Sequence, residues 1–162
     1  MGVTIGPADW WSRSAEGIRS LAISCPVGTT LPDGSRIICK AGGTAWIIAP
    51  CTTEVRPTWN GTTTLLVGNK PCVSDWATLN TQLINCGFNP CDWFVPCSAL
   101  LTNPGYCCRS QWDSLCGFSC YWSSSESSAT NACFANFGNG SMSTYGKGST
   151  FVGVRAMRCV TY

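Results

Sequence analysis

An α+β fold is what the sequence predicts, and three observations carry that reading. A Pro-Asp-Gly turn at 32–34 leads into two β-branched apolar runs joined by Ala41-Gly42-Gly43. An apolar stripe at helical spacing runs between residues 75 and 86. Past Gly117 the chain reads as short strands separated by turn residues.

Taken in order, Arg36 to Lys40 and Thr44 to Ala49 are the strands of the first hairpin, and Pro50 stops the second because proline cannot donate to a ladder. Trp76, Leu79, Leu83 and Cys86 recur at spacings of three and four, so a helix is expected from Asp75 to Cys86, capped by Ser74 and ended by Gly87. Asp92-Trp93-Phe94-Val95 reads as a short strand closed by Pro96. Cys108, Trp112 and Leu115 mark a second short helix after Pro104-Gly105. C-Y-W-S-S-S-E-S (120–127), N-A-C-F-A-N-F (131–137), S-M-S-T-Y (141–145) and the closing F-V-G-V-R-A-M-R-C-V-T-Y read as strands. The Gly138-Asn139-Gly140 turn is a strong hairpin cue.

The 162 residues suffice for one ordinary core and not for two. Residues 1–24 hold Gly2, Gly6, Pro7 and the pair Trp10-Trp11 but no cysteine, and they read as an N-terminal arm preceding a domain at 25–162. Adjacent tryptophans near a chain end either tuck onto their own domain or anchor in a neighbour's pocket, which makes Trp10, Trp11 and Arg13 candidate docking residues. Ten basic residues face eight acidic ones and are scattered along the chain, which argues against nucleic acid as a main partner. Only 11% of residues are charged, while Ser, Thr, Asn and Gly fill the polar positions, a composition suited to surfaces covered by partners. No apolar run approaches the roughly 20 residues of a membrane-spanning helix, so no membrane insertion is expected. Residues 1–11 lack the basic leader and apolar stretch of a signal peptide.

The thirteen cysteines are Cys25, Cys39, Cys51, Cys72, Cys86, Cys91, Cys97, Cys107, Cys108, Cys116, Cys120, Cys133 and Cys159. No pair has C-x-x-C spacing and the chain has no histidine, so neither a metal nor another cofactor is expected. A disulfide framework is the leading expectation, ahead of plain burial and structural zinc, and the odd total leaves at least one thiol without a partner in its own chain. A leaderless chain with such cysteines fits a protein made in a host cytoplasm and oxidised after release by lysis, as a virion component would be.

The elements D-W-F-V-P (92–96), Y-W-S-S-S-E-S (121–127), N-A-C-F-A-N-F-G-N-G-S (131–141) and V-R-A-M-R (154–158) resemble the lectin-like C-terminal domain family of bacterial collagen-like adhesins, bacterial surface proteins and bacteriophage structural proteins. The resemblance covers residues 28 to 162, and its most specific piece is Trp-Ser-Ser-Ser-Glu-Ser. It implies a C-type-lectin-like fold with two helices, two small antiparallel sheets and neighbouring chain ends. It implies no calcium site, because the Glu-Pro-Asn and Trp-Asn-Asp signatures of calcium-dependent sugar binding are absent. The cysteine load exceeds what most members carry, and a disulfide-hardened variant of the domain accounts for it.

Without histidine, a Ser or Cys nucleophile would need a carboxylate, a lysine or a terminal amine as its base, and no enzyme is expected. Asp92 and Glu126 are the pair that a glycosidase would bring together. Glu126 reads instead as a buried partner for Arg155 or Arg158, and Trp93 and Trp122 read as core. The polar loop Asn136 to Ser149 is the candidate recognition surface through Asn136, Asn139, Ser141, Ser143, Tyr145 and Lys147. Asn60-Gly61-Thr62 and Asn139-Gly140-Ser141 match a glycosylation sequon but read as turns.

The function expected is that of a bacteriophage virion structural protein. It would decorate or cement the capsid, or sit on the tail or fibre as an adhesin. Its partners would be other virion proteins, further copies of itself and a host-surface glycan or protein. The alternatives are an extracellular bacterial adhesin module that binds glycans and an enzyme of the formylglycine-generating type.

Overall fold

The structure is a computed structural model that describes residues 14–60, 65–112 and 119–162. Its helices are α1 (Ala15–Ser24), α2 (Ala77–Asn85) and the single turn α3 (Ser98–Leu100). Its strands are β1 (Arg36–Ala41), β2 (Thr44–Ile48), β3 (Cys120–Glu126), β4 (Asn131–Asn136), β5 (Met142–Gly146) and β6 (Met157–Thr161). They form two antiparallel three-stranded sheets, ordered β1-β2-β6 and β3-β4-β5. The α+β expectation therefore holds.

The first hairpin falls where its turn chemistry puts it. Gly42 and Gly43 have φ of +56° and +76°, which suits a tight two-residue turn that L side chains resist. β2 lies at the centre of its sheet because β6 returns to pair with it, Ile47 opposite Arg158 and Ile48 opposite Met157. Alternation then sorts the side chains: Ala45 and Ile47 enter one buried cluster, Ile48 and Trp46 the other. The second sheet repeats the division, with Trp122 and Ala132 in the first cluster and Tyr121 and Ala135 in the second. The first cluster buries Trp59, Trp76, Trp93 and Trp122. The second is an aromatic nest in which Trp112, Tyr121 and Phe137 have ring centroids 4.9 to 5.3 Å apart.

Several expectations need correction. α2 begins at Ala77, and Ser74 does not cap it: Trp76 donates its amide to Val73 across a 3-10 turn, and the cap position Trp76 offers no side-chain acceptor. The end is as expected, at Cys86 and Gly87 with φ +86°. Asp92 to Val95 is not a strand; Pro90–Asp92 is a 3-10 turn, and Phe94 alone bridges Cys72 and Met157. The helical turns near Pro104 start upstream of it, at Ser98, and only the 3-10 turn Arg109–Gln111 follows; Leu115 lies outside the described residues. Residues 151–156 form no regular strand, though Gly153 exchanges backbone hydrogen bonds with β3 at Cys120 and Trp122.

The second half of the segment read as an arm is helix α1. Its Ser14 side chain caps the first turn at Gly17, Ile18 and Ala22 are buried, and Arg19 donates to the Thr161 carbonyl at 2.9 Å. The start of the described chain thus rests on its last strand. Trp10, Trp11 and Arg13 lie outside the described residues. Among the described residues no helix is long and apolar enough to cross a membrane.

Candidate functional site

Among the described residues two ion pairs organise the interior, and neither joins the residues expected. Glu126, at the end of β3, pairs with Lys147 at 2.6 Å rather than with Arg155 or Arg158. Its Oε2 also accepts from the Val67 amide at 2.8 Å and its Oε1 from the Gly68 amide at 3.0 Å. Lys147 completes its three hydrogens on the Leu65 and Ala129 carbonyls at 3.0 and 2.9 Å. The ammonium, together with the two amides, holds the Glu126 carboxyl below the usual carboxylate range.

Lys147 therefore leaves the candidate recognition loop. Its side chain is 1% exposed and every ammonium hydrogen is spent. Of the other candidates, Asn136 ends β4, Asn139 and Ser141 lie in the turn, and Ser143 and Tyr145 belong to β5. The Asn136 and Asn139 side-chain oxygens accept from the Gly138 and Ser141 amides, so both asparagines shape the turn. Ser141, Ser143 and Tyr145 are exposed, with the Tyr145 ring edge-on to Phe134 at 5.7 Å.

Arg155 pairs with Glu54 at 3.0 Å, with side chains 0% and 1% exposed. Its Nε donates to the Ala49 carbonyl at 2.7 Å, and the Tyr121 hydroxyl donates to the same Glu54 oxygen at 2.6 Å. Burial first, then the Glu54 carboxylate, pushes the Tyr121 hydroxyl well above its ordinary value. Arg158 lies 5.6 Å from the centre of the buried Trp93 ring, a cation–π distance. Trp122 is buried and its Nε1 donates to the Pro57 carbonyl, so both tryptophans are core.

The best-equipped concavity lies on the far side of Trp59. Lys70 donates to the Trp59 carbonyl, and its ammonium stands 4.6 Å from the Trp76 ring centre and 5.1 Å from that of Trp59. Desolvation lowers the Lys70 pKa, and the Asp75 carboxylate partly offsets this. Two adjoining hollows of about 220 and 250 Å³ open here, sharing Asn60, Lys70 and Asp75, with Asn69 on the second. Opposite charges and two amides at one rim are hydrogen-bonding equipment for a hydroxyl-rich or zwitterionic ligand. Trp59 and Trp76 are 0% and 2% exposed, so they form the floor and offer no open ring for stacking. The sequence contains these residues but no spacing that joins them, since the cleft is assembled by the loop after β2 and the start of α2.

Asp92 and Glu126 have separate surroundings: Asp92 lines a hollow with Asp33 and Arg158, whereas Glu126 lies against Val67, Gly68 and Lys147. The glycosidase-type pairing is not formed.

The cysteines depart from a dense framework. Cys51 is disulfide-bonded, while Cys25, Cys39, Cys72, Cys86, Cys91, Cys97, Cys107, Cys108, Cys120, Cys133 and Cys159 carry free thiols; Cys116 lies outside the described residues. Register explains part of this. Cys39 and Cys159 flank Trp46 from the two outer strands of the first sheet, which puts them about 9–10 Å apart, beyond the ~7 Å reach of a disulfide. Cys133 faces Thr144 across β4 and β5. Burial, then the neighbouring Cys39 and Cys107 thiols, pushes the Cys108 thiol up to about 11, and burial also raises that of Cys133. Among the described residues no group of three or more His, Cys, Asp or Glu side chains could hold a metal ion.

No protein-family model matches the chain, and no curated protein sequence matches it.

Proposed function

We propose that the chain is a bacteriophage virion structural protein built on a C-type-lectin-like domain, present in many copies and decorating or cementing the capsid or serving as an adhesin on the tail. One observation carries this reading. The sequence elements of the family resemblance all feed the same two buried clusters: Trp93 and Val95 from D-W-F-V-P, Trp122 from Y-W-S-S-S-E, Ala132 from the β4 element and Val154 and Ala156 from V-R-A-M-R enter the first, while Phe94, Tyr121, Ala135 and Met157 from the same elements enter or pack against the second. They behave as parts of one body, as members of one domain pattern should. The charge-poor composition supports a surface meant to be covered.

Hardening by disulfides after release belongs to the same reading, with Cys39 and Cys108, which interact within the second core cluster, as the first pair to close. The polar cleft at Lys70 favours a second reading, an extracellular bacterial adhesin module that binds glycans there. Immunogold labelling of intact particles with antibodies against the folded chain tests the first. Regular labelling of the capsid or tail supports it, and unlabelled particles beside a labelled bacterial surface support the second.

A further inference from the structure

β5 is the outer strand of its sheet, and its backbone is half used. Asn136 donates to the Ser141 carbonyl and Lys147 to that of Thr130, which fixes the phase of the β4–β5 ladder. Ser143 and Tyr145 then exchange bonds with β4, while the amides and carbonyls of Met142 and Thr144, and the Gly146 amide, point away from it. Among the described residues these outward groups of Met142 and Thr144 and the Gly146 amide have no backbone partner; the Gly146 carbonyl accepts from Ser149. All five residues of β5 are exposed.

Sheet edges of this kind invite another strand, and proteins usually block them with lysine, proline, a bulge or a covering segment. From Ser141 to Gly146 there is no charge and no proline, and the β4–β5 register runs without a bulge. We infer that β5 is a docking edge for β5 of a second copy, joining two three-stranded sheets into one antiparallel six-stranded sheet across a two-fold axis at Thr144.

The edge is complementary to itself. With Thr144 opposite Thr144 of the second copy, the two residues exchange both backbone hydrogen bonds, and Met142 falls opposite Gly146 of the copy, which leaves room for its side chain. Thr–Thr cross-strand pairs are favourable, and an uncharged strand meets its own copy without repulsion. An extended peptide from another protein could use the same backbone groups, but a partner selected for this strand needs a complementary charge or pocket, and β5 carries neither. The inference specifies the multi-copy part of the proposed function and rests on the edge geometry, so a dimer in solution and presence in a virion are separately testable.

The test is the oligomeric state of the full chain by sedimentation and light scattering over a concentration series. The wild type is expected to dimerise. Thr144→Pro removes an outward amide and no bond of the β4–β5 ladder, and Thr144→Lys sets two like charges on the axis; each should raise the dimer dissociation constant more than about tenfold while circular dichroism stays unchanged. Mixing Thr144→Lys with Thr144→Glu chains should restore a dimer containing one of each. A wild type that stays monomeric, or a dimer indifferent to both substitutions, overturns the inference. Dimer recovery in the mixture separates lost pairing from lost folding.

Discussion

Arg155 and Lys147 show how much of this interior depends on single charged side chains. Arg155 is buried against Glu54 with a second bond to a carbonyl, so removing it takes the cation away from a buried carboxylate that keeps its Tyr121 hydrogen bond. Arg155→Ala should cost about 3–5 kcal/mol in urea unfolding. Arg155→Lys should fall in between, because an ammonium does not reproduce the guanidinium fork. Glu126 governs an acid response. Its carboxyl lies below the ordinary range in the folded chain, so its contribution is present above the unfolded value near ~4.3 and is lost as pH falls through the lower folded value. Hydrogen exchange at Val67 and Gly68, corrected for intrinsic rate, should therefore stay protected from neutral pH to about 4.3 and collapse only in stronger acid, while Glu126→Gln should lose protection at every pH. Loss of protection between pH 7 and 5 would contradict the clamp. Cys108, with its thiol near 11, should alkylate slowly at pH 8 and speed up as pH approaches that value. The sequence reading gave Glu126 a buried arginine, Arg155 or Arg158, whereas its cation is Lys147. Lys147 sits between glycines in a polar stretch and looks solvated, and its contacts, Leu65 and Ala129 included, are set by the tertiary fold.

At the scale of elements, legibility followed local chemistry. The β1–β2 and β4–β5 hairpins were readable because glycine pairs and Asn-Gly steps act within a few residues. The start of α2 was not, because a 3-10 turn at Val73–Asp75 competes with the Ser74 cap through a backbone bond that residue type does not report. The turn after β4 offers a direct check. Gly140 has φ +80°, and a Cβ there would stand 2.5 Å from the Tyr106 ring; Gly42 has φ +56° and open space around it. Gly140→Ala should lower stability by about 1–3 kcal/mol and Gly42→Ala by less, read as thermal midpoints side by side. Equal losses would mean that the Tyr106 contact does not pin the loop.

For the molecule as a whole, the α+β plan followed from the pattern of turns and apolar runs, whereas two small antiparallel sheets were only what the family resemblance implied; the division of the core into two clusters became visible only once β6 was seen to pair with β2. The cleft at Lys70 was not legible, since its residues come from separate segments that only the tertiary fold brings together. The cysteine count pointed to a framework, but count says nothing of register, and register separates Cys39 from Cys159. What remains central is the proposed setting, a lectin-like domain carried on a virion. Quantitative mass spectrometry of gradient-purified particles, run without reductant, tests it most directly. The chain is expected at a fixed multiple of a known capsid or tail protein, with fewer than all thirteen cysteines open to alkylation. Particles that lack the chain would contradict it.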